Sequence, residues 1–272
     1  MFKDIEAQGL VLLGCGKMGS ALLQGWLANG LLVRSVYIID PNPSDWVKEL
    51  MGQGLNVNLP LPAAPAIVLI AVKPQMMGAA LPQLQALGNS KTIFLSIAAG
   101  IRMAQFADIL GQKTPIIRAM PNTPASVARA ITAIVGNDYI EAAEKALAQR
   151  LLAVVGEVVE VDTEDQIDIV TGVSGSGPAY VFHMIEALAA AARAQGLSEA
   201  LAMRLARHTV TGAGELAHRS SETAQNLRVN VTSPGGTTAA ALSVLMAEGL
   251  GLTELMTRTV DAAVNRGREL GK

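Results

Sequence analysis

The chain has 272 residues, 50% of them apolar and only 16% charged, against roughly 25% charged in an average soluble domain, so two domains are expected, with part of the surface hidden in an oligomer. Balanced charge (21 basic, 23 acidic residues) and 3% aromatics exclude a basic nucleic-acid groove with stacking rings. A single cysteine, Cys15, and three scattered histidines, His183, His208 and His218, exclude a disulfide scaffold and a zinc site, so no metal is expected. No apolar run nears the ~20 residues that span a bilayer, and the N-terminus lacks a secretory cleavage site, which predicts a cytoplasmic chain without a membrane partner.

Along the first half, short β-branched runs at 10–13, 36–39, 67–72, 92–97 and 116–119 carry little charge, as buried parallel strands do. Helical patterns fill the gaps, one over 18–29 stopped by Gly30 and one over 140–155 stopped by Gly156. The alternation predicts an α/β fold with a doubly wound, Rossmann-type parallel sheet. After a last strand at 157–161 the pattern becomes helix and glycine-rich loop, so the boundary is placed between residues 1–163 and an all-α part, 164–272. The helix predicted at 179–195, behind Pro178, carries only Glu186 and Arg193 as charges. Such a helix is apolar nearly all round and is expected between subunits. Further helices are expected at 198–218, 221–228, 238–248 and 253–270. The only lysine in this half is Lys272, which disfavours Schiff-base chemistry there.

Gly14-Cys15-Gly16-Lys17-Met18-Gly19 fits G-x-G-x-x-G between a predicted strand and a predicted helix. In that context Gly14 permits the tight turn, Gly16 lets backbone approach a pyrophosphate, and Gly19 lets the helix pack on the strand. Asp40 ends the second strand 21 residues after Gly19, where a carboxylate accepts from ribose hydroxyls and repels the 2′-phosphate of NADP. The cofactor expected from this pattern is NADPH or NADH, with Asp40 leaning to NADH, and an ordinary glycine-rich βα turn is the alternative. Lys48 lies within reach of a phosphate, and Asp40 as a simple turn cap is the alternative. Lys73 closes an apolar strand at the ligand edge. Asn122 and Thr123 follow another strand, where they serve as carboxamide partners or as turn residues. Two further glycine loops, 171–178 and 232–238, precede predicted helices, the second offering peptide N–H groups and hydroxyls as a carboxylate cradle or, alternatively, a turn with a threonine N-cap.

Together these blocks resemble the pyrroline-5-carboxylate reductase family, which catalyses the last step of proline biosynthesis. The resemblance rests on the glycine motif, Ala71-Val72-Lys73-Pro74, Ser96-Ile97-Ala98-Ala99-Gly100, the stretch from Arg118 to Pro124, that from Gly172 to Tyr180, and Ser233-Pro234-Gly235-Gly236-Thr237-Thr238. It implies a Rossmann domain followed by a helical domain that interlocks two subunits in a homodimer, with rings of dimers in some members. It puts the pyrophosphate on Gly14, Cys15, Gly16, Lys17, Met18 and Gly19, adenosine near Asp40 and Asn58, and the nicotinamide side at Ala71, Val72, Lys73, Pro74, Ala98, Ala99 and Gly100. It places the small-molecule substrate's carboxylate on Ser233, Gly235, Gly236, Thr237 and Thr238, with Glu164 and Asn230 lining the cleft, Asn230 on the cofactor side. Thr238 is the catalytic candidate, hydrogen-bonded to the ring nitrogen of a cyclic imine. Two rival readings are a related dehydrogenase of β-hydroxy acids, which would use a lysine missing from 170–180, and a non-catalytic NAD(P) sensor, which leaves the carboxylate loop unexplained.

Overall fold

The computed structural model describes residues 2–271. Its strands are β1 (Leu10–Leu13), β2 (Val36–Ile39), β3 (Asn56–Val57), β4 (Ile67–Ile70), β5 (Ile93–Ser96), β6 (Ile116–Met120), β7 (Ala130–Gly136) and β8 (Gly156–Glu160). They form one sheet in the order β3-β2-β1-β4-β5-β6-β7-β8. Every pairing is parallel except that of β6 with β7. The helices in this part are α1 (Lys3–Gln8), α2 (Lys17–Ala28), α3 (Asp45–Met51), α4 (Met77–Ala80), α5 (Met103–Leu110), α6 (Ala142–Leu152) and α7 (Glu164–Val170).

Strand periodicity sorts the core onto both faces of the sheet. Leu10 and Leu12 of β1 join Leu22, Leu23, Trp26, Leu147 and Leu151. Val11 and Leu13 point the other way, toward Leu81, Leu84, Phe106 and Leu110. Helix α2 is placed by Gly19, Leu22, Leu23 and Trp26, all buried at the i, i+3, i+4, i+7 spacing of one helical face. The Trp26 indole keeps its one donor satisfied by giving it to the Leu151 carbonyl (2.8 Å).

Strands β3 and β7 and helices α1 and α7 go beyond the sequence reading. The short β3 and α1 lie below the length at which a pattern declares itself. The seven-residue β7 follows β6 after only a 3-10 turn, Thr123–Val127. With no helix between them, the two strands pair antiparallel rather than as a βαβ unit. The stretch expected as a glycine loop at 171–178 is instead a single π-helical turn, Thr171–Gly175, which carries α7 on into the next helix.

By contacts the chain divides into two compact units, one running to Gly175 and taking in the stretch from Ala263, the other Ser176–Ala262. The first extends past the expected boundary because α7 packs on β6 and β7. The second holds α8 (Gly177–Ala194), α9 (Glu199–Arg219), α10 (Ala224–Asn230), α11 (Thr237–Leu245) and the first half of α12 (Leu252–Leu270). Its buried core is small, Ala189, Ala202 and Ala206 with Ile185 and Ala192 against them. Large apolar side chains of the same helices, Val181, Phe182, Met184, Leu188, Leu201 and Leu205, stand exposed in the single chain. So many exposed large apolar side chains on two packed helices mark an association face. No helix among the described residues is long and apolar enough to cross a membrane.

Candidate active site

Parallel register brings the loops after β1, β2, β4 and β5 to one edge of the sheet. Leu13 stands opposite both Ile39 and Ile70, and Ile70 opposite Ser96, so Gly14, Asp40, Ala71 and Ile97 leave their strands in one row. The strand order reverses its direction of growth between β1 and β4, where open α/β sheets leave a crevice for a ligand.

The glycines of the first turn differ in what they permit. Gly14 has φ +87, and a Cβ there would lie 2.8 Å from Val72 Cγ1. A Cβ on Gly19 would meet the Gly14 carbonyl oxygen at 2.6 Å. Gly16 caps α2 with extended backbone, and nothing lies within 4 Å of where its Cβ would be. The first two are thus required by packing, whereas the third leaves open space against bare backbone. The first intrahelical donor is Ser20 N–H, which gives to Gly16 O (2.8 Å). The N–H groups of Lys17, Met18 and Gly19 precede it at a positive helix end, which suits a pyrophosphate.

Asp40 is held hard against this turn. Its Oδ2 accepts from Cys15 N–H (2.8 Å) and its Oδ1 from Asn42 N–H (2.8 Å). Asn58, at φ +53, braces the same residue by donating to Asp40 O (2.8 Å) and accepting from Asp40 N–H (3.0 Å). Each carboxylate oxygen retains a further lone pair for a hydroxyl donor. Lys48 is paired with Asp45 on exposed α3 (2.9 Å). Burial pushes the Cys15 thiol up; a hydrogen bond with Ser20 opposes this and the Asp40 charge adds to it. Cys15 is therefore a protonated packing residue of the loop at neutral pH, not a nucleophile.

On the other side of β1, Ala71 N–H donates to Leu13 O (2.8 Å), and exposed Lys73 precedes the 3-10 turn Pro74–Met76. After β5, Ser96 Oγ accepts from Ala98 N–H (3.2 Å), and a Cβ on Gly100 would come within 3.3 Å of Leu270 Cβ. Asn122 Oδ1 accepts from Ile131 N–H (3.0 Å), so it closes the β6–β7 connection.

Glu164 lies in a charged network that sequence reading missed. Arg118, on β6 and 1% exposed, donates from Nη1 to Glu164 Oε1 (3.2 Å) and from Nη2 to Asp168 Oδ1 (3.0 Å). The same Glu164 oxygen accepts from Met103 N–H (2.7 Å), the first residue of α5. Arg102 adds a longer contact to Glu164 (3.7 Å) and bonds Asp165. The signal was present as a lone arginine inside an apolar strand and as carboxylates spaced i, i+4 on one helix face.

In the helical unit, Ser233 to Gly236 forms a tight turn closed by Gly236 N–H to Ser233 O (3.1 Å). A Cβ on Gly236 would meet Ser233 Oγ at 2.4 Å, whereas one on Gly235 would meet nothing. The N-cap of α11 is Gly236, with no side-chain cap. Thr237 and Thr238 are the first two helical residues, so the alternative of a threonine N-cap falls, and the peptide N–H groups at this end are left for a ligand. Asn230 donates to Glu222 Oε2 (2.9 Å).

Two family models match the chain: pyrroline-5-carboxylate reductase dimerisation over residues 164–270, and NADP oxidoreductase, coenzyme F420-dependent, over residues 10–100. A pyrroline-5-carboxylate reductase from Pseudomonas aeruginosa is 36% identical over 266 residues, covering 97% of both chains. The chain belongs to the pyrroline-5-carboxylate reductase family. Two solved structures are similar throughout. A pyrroline-5-carboxylate reductase from Coxiella burnetii has 34% identity and a TM-score of 0.89, covering 97% of this chain and 99% of that one. A Plasmodium falciparum pyrroline carboxylate reductase with NADP bound has 28% identity and a TM-score of 0.81, covering 98% and 99%. The segment matched by the pyrroline-5-carboxylate reductase dimerisation model contains most of the exposed large apolar side chains.

Proposed function

We propose that this chain is an NAD(P)H-dependent oxidoreductase that reduces 1-pyrroline-5-carboxylate to L-proline. End-to-end similarity to the Pseudomonas enzyme carries the reading. The open space at Gly16 supports it, because the turn offers bare backbone where a dinucleotide's pyrophosphate needs it. Residues 1–163 hold the cofactor through Gly14 to Gly19, Asp40 with Asn58, Ala71 to Pro74 and Ala98 to Gly100. Residues 164–272 supply the substrate loop and the dimer contact, with Asn230 on the cofactor side. The working form is a cytoplasmic homodimer, open to further assembly into a ring.

When bound, the reduced nicotinamide supplies a hydride for the C=N carbon. The imine enters protonated, so its π electrons settle on a nitrogen that already carries the proton, and the product is a secondary amine. The protein's task is then orientation and electrostatics. Gly236 N–H is spent on Ser233 O in closing the turn, so the Thr237 N–H, with the Ser233 hydroxyl, holds the carboxylate, and the Thr238 hydroxyl accepts from the ring N–H. Purified protein should oxidise NADH or NADPH only when pyrroline-5-carboxylate is added, read from loss of nicotinamide absorbance. Equal turnover with 3-oxo acids would overturn the imine assignment.

The Asp40 carboxylate favours NADH over NADPH, since like-charge repulsion against a 2′-phosphate amounts to about 1–3 kcal/mol in a partly buried site. Asp40→Asn removes the charge and keeps an oxygen for one of the two loop N–H groups, of Cys15 and Asn42, at the loss of the other bond. It should raise the NADPH-to-NADH ratio of kcat/KM by about tenfold; an unchanged ratio would reduce Asp40 to a brace for the turn.

A further inference from the structure

The loop proposed for the nicotinamide side has two anchors of different kinds. At its start, Ser96 Oγ ties Ala98 to the end of β5. At its far end, where Arg102 leads into α5, the backbone is held by a side chain 61 residues away, through Met103 N–H to Glu164 Oε1. That carboxylate is in turn fixed by Arg118, whose second arm grips Asp168 one turn further along α7. The guanidinium and the Asp168 side chain are almost wholly buried (1% and 8% exposed), and that of Glu164 is 17% exposed. A buried ion pair of this kind loses most when one member is removed, because the other is left as an uncompensated charge. It thus holds a single geometry and transmits it to whatever else it bonds. Here that is the entry to α5, and so the exit of the loop containing Ala98, Ala99 and Gly100.

We propose that Glu164, held by Arg118, is a positioning residue for the nicotinamide-side loop and acts on catalysis through that loop, with no contact to the substrate. Its Oε1 is already taken by Met103 N–H and Arg118 Nη1, and its Oε2 faces the Arg102 guanidinium at 3.7 Å, beyond hydrogen-bond reach. A substrate carboxylate would moreover be repelled by it. The proposal rests on the reading that residues 98–100 hold the nicotinamide side, and its test keeps the two apart.

The test measures dinucleotide Kd by fluorescence titration, imine KM at saturating dinucleotide, and amide exchange over residues 97–103 in the full-length protein. Glu164→Ala should weaken dinucleotide binding by about tenfold and speed exchange in that stretch, while imine KM stays within about twofold. Glu164→Gln keeps an acceptor for Met103 N–H and should recover most of the lost affinity. Arg118→Lys, which keeps the buried charge and guards against misfolding, should also weaken dinucleotide binding, and should add nothing when combined with Glu164→Ala, because both act through one anchor. A Glu164→Ala protein with normal dinucleotide Kd and a raised imine KM overturns the proposal and makes Glu164 a substrate ligand. Additive losses in the double variant also overturn it. Ala99→Leu tests the underlying reading: if dinucleotide Kd is unchanged there, the loop is not the nicotinamide side and the proposal falls with it. A loss in Ala99→Leu beside a normal Glu164→Ala removes the anchor alone.

Discussion

Gly16→Val should cost about a hundredfold in dinucleotide affinity, ~2.7 kcal/mol, in a protein that still folds. The position has extended backbone (φ −72) that any L residue accepts, and nothing lies within 4 Å of its missing Cβ. Folding therefore loses only the glycine N-cap of α2, about 1 kcal/mol, or a fall in Tm of roughly 2–4 °C for a chain of this size. A bound dinucleotide meets the valine directly, because its pyrophosphate must lie against that bare backbone. Neighbouring glycines supply the contrast. Gly14→Ala forces a side chain into a left-handed backbone and against Val72, and Gly19→Ala forces one into the Gly14 carbonyl, so both should melt earlier. Isothermal titration with NADH and NADPH, paired with thermal melts, checks the pattern. Normal affinity in Gly16→Val would remove the turn from the cofactor site.

The parallel strands and their end loops were legible because each is a local pattern: a short apolar run, a turn, then a helix face with its own period. Strands β1 and β2 fall on the expected residues, and β4 to β6 within one or two. What stayed illegible depends on pairings between distant residues. The antiparallel placement of β7 follows from β6 reaching it through a 3-10 turn, and nothing in its own seven residues declares a direction. Asn58 carries no sign of its left-handed backbone or its pair of hydrogen bonds with Asp40 until β3 brings the two together. Arg118 and Glu164 are 46 residues apart, and their partnership exists only once α7 lies on β6. The association face was legible in the opposite way, from the scarcity of charge along α8, where only Glu186 and Arg193 are charged and Phe182 stands 60% exposed in the single chain. The glycine turn could be proposed for the cofactor from a local pattern, whereas the role proposed for Glu164 required knowing that Met103 N–H and Arg118 already bond its Oε1.

The Thr238 hydroxyl is the sharpest remaining test, because the fold has separated two roles that the sequence left entangled. Had Thr238 been the N-cap of α11, Thr238→Ala would have cost about 1 kcal/mol of stability and confounded any loss of activity. The cap is Gly236, and Thr238 is the second helical residue. Alanine has the higher helix propensity at such a position, so melting should be unchanged or slightly later. Any large kinetic effect then belongs to the substrate. A hydrogen bond to a charged ring nitrogen is worth about 1.5–3 kcal/mol, so kcat/KM for the imine should fall ten- to a hundredfold. Dinucleotide Kd should stay put, since the hydroxyl is proposed to meet the imine alone. Thr238→Ser returns the hydroxyl without the methyl and should restore most of the rate. An alanine variant that reduces the imine at the normal rate would leave the carboxylate cradle to the Thr237 N–H and the Ser233 hydroxyl, and the protonated imine would need no side-chain partner for its nitrogen.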